Sequence, residues 1–178
     1  MNGIRNAVAA GLDISVNTPL CSENADYVKT LEFIRDMGVR FVTASGLICT
    51  GAAGLNHGAH DLSEAELFDI ISSAKAFCDE NAMEIDFTSP GLIAKEKLET
   101  LSMNVPMCGA ALSNMAIAPD GTVVPCQSWL SKGSGLGNIL TESFARIWKH
   151  KDARALRAMS EEEALHCPFR SRKEKDNG

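Results

Sequence analysis

The residues best suited to chemistry in this chain are six cysteines, Cys21, Cys49, Cys78, Cys108, Cys126 and Cys167. An ionised thiol is a metal ligand or redox group, whereas a packed thiol behaves as a small hydrophobe. The first residues lack the charged-then-apolar pattern of a secretory leader, so the expected compartment is the cytoplasm, where thiols stay reduced. Each cysteine is therefore read as a core residue, a metal ligand or a redox group rather than half of a disulfide.

Helical spacing sorts one of them at once. Cys78 follows Ala74 by one turn and Ile71 by two, which assigns it to a buried face. Cys21 and Cys49 follow two candidate strands, at the edge where α/β barrels place their chemistry, but a single loop cysteine is more often incidental. His57 and His60 share that edge, in a Gly-rich loop. The string Gly46-Leu-Ile-Cys-Thr-Gly-Ala-Ala is not a phosphate loop, because it lacks the Lys-Ser/Thr ending and precedes no immediate helix.

The elements that position these residues alternate. A helix over Asn2–Ala10 stops at Gly11, and a strand is expected over Leu12–Asn17. Asn24 or Asp26 can cap a helix carrying Val28, Leu31, Ile34 and Met37 at helical spacing, which ends at Gly38 before a strand over Val39–Ala44. Ser63 and Glu66 form a capping box for a helix with Leu67, Ile70, Ile71, Ala74 and Phe77 inward, and a third strand follows over Met83–Phe87. Strands alternating with helices imply crossover connections and a parallel sheet. Three such strands leave an edge unpaired, so the chain reads as a truncation.

From Pro106 the pattern changes. Ser113–Ala118 and Thr122–Pro125 flank Pro119-Asp-Gly121, which is strong turn chemistry and predicts a hairpin. Ser131–Gly137 reads as a Gly- and Ser-rich loop. Thr141 is expected to cap a helix bearing Phe144, Ile147 and Trp148, a further helix runs from Asp152 past Met159, and Ser160 with Glu163 would box a last turn leading to Cys167. The expected units are residues 1–105 and 106–178.

Composition excludes two partner classes. The net charge is -6, from 17 basic and 23 acidic side chains, and only Arg170-Ser-Arg-Lys-Glu-Lys at the C-terminus is locally basic. No nucleic-acid footprint is expected, because phosphate binding needs clustered Lys and Arg. No stretch approaches the roughly 20 apolar residues of a membrane helix, so no membrane partner is expected either.

The spelling Cys108-x12-Gly121-x4-Cys126 resembles the first half of the cysteine signature of SPASM and twitch domains, the auxiliary iron-sulfur segments of radical SAM proteins. A hairpin returns the chain on itself, so its two ends can present thiolates to one cluster, and Gly121 permits the reversal. The stretch from Leu136 to Trp148 is similar to the linker helix after that hairpin. Cys167 sits where the family begins a CxxC pair, and the upstream strands look like the later strands of the radical SAM partial barrel.

The resemblance implies an α/β fold: a partial (β/α) barrel fragment with parallel strands, followed by a small β-hairpin plus helices. It implies an auxiliary [4Fe-4S] cluster held by Cys108, Cys126 and Cys167, and a peptide or protein substrate. It also places Asp13, Asn17, Thr43 and Ser45 on or beside strands that face the S-adenosylmethionine side. The chain departs from the family in two places. Arg170 stands where the partner of Cys167 belongs, which leaves a fourth ligand unassigned. The CxxxCxxC motif that holds the catalytic cluster is absent, so S-adenosylmethionine chemistry would need a separate N-terminal radical SAM half. The alternative reading of the same cysteines is a non-catalytic module stapled by zinc, with His166 or His150 completing a tetrahedron.

Overall fold

The computed structural model describes residues 2–48, 55, 59–132 and 135–162. Its elements in chain order are α1 (Asn2–Ala9), β1 (Ser15–Leu20), α2 (Tyr27–Asp36), β2 (Phe41–Gly46), α3 (Glu64–Glu80), β3 (Glu84–Phe87), α4 (Lys95–Thr100), β4 (Ala116–Ile117), β5 (Thr122–Val124), β6 (Gly137–Asn138), α5 (Phe144–Lys149) and α6 (Lys151–Glu162). Short 3-10 turns cover Ser22–Asn24 and Gln127–Lys132.

The first sheet is parallel, in the order β1-β2-β3, with Asn17 opposite Thr43 and Thr43 opposite Asp86. One face packs on helices. Leu20, Val42, Ala44, Ile85 and Phe87 meet Tyr27, Leu31 and Ile34 of α2 and Leu67, Ile71, Ala74 and Cys78 of α3 in one buried cluster. The other face carries the exposed Ser15, Asn17, Glu84 and Asp86, so this sheet is apolar on one side and polar on the other.

Local signals set most of these elements. The capping box at α3 forms as expected: Glu66 N donates to Ser63 Oγ (3.2 Å), and Ser63 N donates to Glu66 Oε2 (2.6 Å). Gly11 and Gly38 take positive φ after α1 and α2 (+72° and +88°), the left-handed conformation that ends helices.

All three strands of this sheet begin later than the apolar runs suggest, β2 at Phe41 rather than Val39 and β3 at Glu84 rather than Met83. β1 starts at Ser15, not Leu12, and extends through Pro19. Leu12 is exposed, and the ladder with β2 begins only at Ser15. Pro19 is tolerated because β1 pairs with β2 alone among the described residues. β2 likewise runs on to Gly46, whose N–H donates to the buried Ser89 hydroxyl (2.8 Å). A Cβ on Gly46 would lie 2.2 Å from Leu92 Cδ1, so the small residue fits the close approach.

The second sheet is antiparallel. β4 and β5 form the expected hairpin, with Ala116 opposite Val124 and Ile117 opposite Val123, but β4 covers only Ala116–Ile117 rather than Ser113–Ala118, because Leu112, Ser113 and Asn114 turn onto the Gly109 carbonyl. The sequence gives no sign of β6, which pairs Thr122 with Asn138 and Val123 with Gly137 where the Ser131–Gly137 loop meets the stretch likened to a linker helix, so that helix starts only at Phe144. Ser143, not Thr141, caps α5, since the Thr141 hydroxyl bonds back to Asn138 O (3.1 Å). Ser160 starts no new turn; it lies inside α6 and is buried. A small second core forms where Val123, Ile147, Ala111 and Ala153 are all fully buried.

Candidate metal centre

The hairpin turn sets the approach of the two ends that carry Cys108 and Cys126. Gly121 N donates to Ala118 O (2.9 Å) and Ala118 N to Thr122 O (2.8 Å), which closes the turn with Gly121 at φ +85°. Asp120 braces it by accepting from Thr122 N (2.9 Å), and the Thr122 hydrogen bonds, backbone first, hold its carboxyl below the usual aspartate range.

Cys108 opens a tightly wound loop. The carbonyl of Gly109 accepts from Leu112, Ser113 and Asn114, each at 3.0 Å. Ala111 takes a positive φ of +55°, a costly conformation for a residue with a Cβ, and is fully buried. Its N–H donates to Pro125 O (2.9 Å), so the loop is tied to the residue just before Cys126.

Both thiols line one cavity of about 330 Å³, and both are half-buried. Met115 and Asn114 share its wall, and Thr88 and Pro90 close it from the C-terminal end of β3. Thr88 N continues the β3 ladder to Ala44 O (2.9 Å), so the cavity sits at the carboxyl edge of the parallel sheet. No Asp, Glu, Lys, Arg or His lies among the described lining residues. That donor set suits an iron-sulfur cluster, which takes thiolate ligands and is tuned by the polarity and exposure around its sulfurs.

Cys167, with His166 and Arg170, lies outside the described residues. The last described residue, Glu162, ends α6, and the five residues onward to Cys167 can span at most about 17 Å. No group of three or more His, Cys, Asp or Glu fit to hold a metal occurs among the described residues, so the observed centre is a pair of thiols. His150 does not line the cavity; it faces Asp152, with Nδ1 3.4 Å from Oδ2.

The remaining sequence candidates lie elsewhere. Thr43 donates to Asn17 Oδ1 (3.0 Å) across the open face of the sheet, and Ser45, farther along the same strand, is buried. The row continues at Asp86, which accepts from Asn104 Nδ2 (3.1 Å); neither residue was singled out, although the strand register brings Asp86 opposite Thr43. Cys21 is half-buried beside the 3-10 turn after β1, and His60 pairs with Glu23 at 3.5 Å. Cys78 is fully buried, and desolvation pushes its thiol up to about 11. Cys49 and His57 lie outside the described residues.

Residues 108–169 match the family model of SPASM, an iron-sulfur cluster-binding domain. This segment is similar to a SPASM domain. Its match begins on Cys108 and takes in Cys126 and Cys167. No curated protein sequence matches the chain. Among solved structures, the fold is shared with Streptococcus suis SuiB at a TM-score of 0.63 and 12% identity, covering 87% of this chain and 39% of that one. This chain thus spans well under half of that protein, and the likeness is one of fold. The resemblance drawn from the sequence stands on these two comparisons: the SPASM match for the C-terminal segment and the shared fold for most of the chain. No helix among the described residues is long and apolar enough to cross a membrane.

Proposed function

We propose that this chain is the C-terminal part of a radical SAM enzyme that modifies a peptide or protein in the cytoplasm, and that its SPASM domain holds an auxiliary [4Fe-4S] cluster through Cys108, Cys126 and Cys167. The supporting observation is that Cys108 and Cys126 line one cavity, whose described lining carries no charged side chain, from the two ends of a single hairpin region. A cluster bound there supplies one-electron transfer or an iron site for substrate.

The chain's own residues do the rest of the positioning. Cys108 and Cys126 supply thiolates, Met115 and Asn114 line the surrounding wall, and Thr88 and Pro90 limit solvent from the sheet side. The polar row of Asn17, Thr43 and Asp86 faces away from the helices. In this reading that face, with Ser45 farther along β2, is turned towards S-adenosylmethionine held by a separate N-terminal half.

Anaerobic reconstitution with iron and sulfide tests the proposal. A brown protein with the broad visible absorption of thiolate-bound iron is expected. A colourless product holding one zinc per chain would overturn it in favour of a stapled, non-catalytic module.

A further inference from the structure

The loop that starts at Cys108 is held from two sides. On the strand side, Ala111 N bonds Pro125 O beside Cys126 (2.9 Å). On the other side, both loop carbonyls face α6: Ser160 Oγ donates to Ala110 O (2.8 Å), and Arg157 Nη1 donates to Ala111 O (3.4 Å). Arg157 is fixed in turn, since its Nη2 donates to Trp148 O (2.7 Å) and its guanidinium lies 4.3 Å from the centre of the Trp148 ring.

Burial makes the Ser160 contact consequential. Ser160 is 2% exposed and Ala110 4%, so water cannot replace the bond if the hydroxyl is lost. The carbonyl it holds is next to Ala111, whose positive φ persists only because the surroundings fix it.

We propose that Ser160 and Arg157 are positioning residues for the thiolate cluster, clamping the Cys108 loop to α6 so that Cys108 stays in register with Cys126. The inference rests on the cluster reading above. Neither residue is among the described residues that line the cavity; both act through backbone carbonyls, in the way outer-shell partners orient metal ligands.

The test compares Ser160→Thr with Ser160→Val in the full chain, because the two side chains have the same shape and differ in the hydroxyl. Both variants are reconstituted anaerobically with iron and sulfide, and two quantities are read: the rate of iron loss to a chelator and the electron paramagnetic resonance spectrum of the reduced cluster. Ser160→Thr should behave as the unsubstituted chain, whereas Ser160→Val should lose iron roughly tenfold to a hundredfold faster, with a shifted spectrum. Equal rates and identical spectra for the two variants, in a chain that holds iron, overturn the clamp and leave the cluster reading intact. An unsubstituted chain that takes up no iron overturns both. If Ser160→Val loses its helical circular dichroism, Arg157→Lys replaces it: Lys keeps the charge without the planar fork and ring stacking, so faster iron loss is expected and an unchanged rate counts against the clamp.

Discussion

The backbone N–H of Ala111 donates to the carbonyl of Pro125 at 2.9 Å, which joins the loop of Cys108 to the strand end of Cys126. Two cysteines separated in sequence by a whole hairpin thus line one cavity. The approach of the two cysteine-bearing segments is set by backbone geometry.

The turn is therefore the first place to perturb. Gly121 has φ +85°, and a Cβ there would lie 2.7 Å from both Asn138 Oδ1 and Leu140 Cγ. Gly121→Ala should lower unfolding stability by about 1–3 kcal/mol in urea titration and reduce iron uptake. Gly3→Ala is the contrast: its added Cβ meets nothing within 4 Å inside α1, and it should be neutral or stabilise by up to about 1 kcal/mol.

Acid should weaken the fold through two carboxylates. Glu64 accepts from Ala94 N (3.1 Å) and pairs with Lys97 (3.0 Å), and these contacts, backbone first, hold its carboxyl below the ordinary value of 4.5; Asp120 is held down by Thr122. Both folded-state values lie below the unfolded ones, so the stability they lend is present above the unfolded value and is lost as pH falls through the folded one. Melting temperature should drop as pH is lowered beneath about 4.5. Glu64→Gln should flatten that drop, and an unchanged profile would remove Glu64 from the account.

Cysteine alkylation separates the three described environments. Cys78 is fully buried with its thiol pushed up to about 11, so near neutral pH it should be the slowest to react. Cys21, Cys108 and Cys126 are half-buried and should be modified in the metal-free chain. Loading with iron and sulfide should protect Cys108 and Cys126 while leaving Cys21 reactive, as read by peptide mass spectrometry. Equal labelling of Cys126 in both forms would contradict its role as a ligand.

What the sequence made legible was local. The Ser63–Glu66 box and the Pro119-Asp-Gly121 turn each state their structure within a few residues, and both formed as expected; the spacing from Cys108 to Cys126 spans one hairpin, and both residues line one cavity. β6 was invisible because Gly137 and Asn138 carry no periodicity; they form a strand only by pairing with Val123 and Thr122. Ser160 was misread for the opposite reason. Its S-x-x-E pattern is a helix-start signal, but the hydroxyl is used by a carbonyl fifty residues away, which short-range pattern cannot report. Asp86 was passed over because its place opposite Thr43 follows from strand register, which exists only once the sheet is assembled.

The central claim is that Cys108 and Cys126 ligate an auxiliary cluster. Its most direct test is iron and acid-labile sulfide per chain after anaerobic reconstitution of the unsubstituted protein, Cys108→Ser, Cys126→Ser and, as a control, Cys21→Ser. The account predicts about four irons and four sulfides for the unsubstituted chain and the control, and a severe loss for the other two. Full iron and sulfide in Cys108→Ser and Cys126→Ser would contradict it.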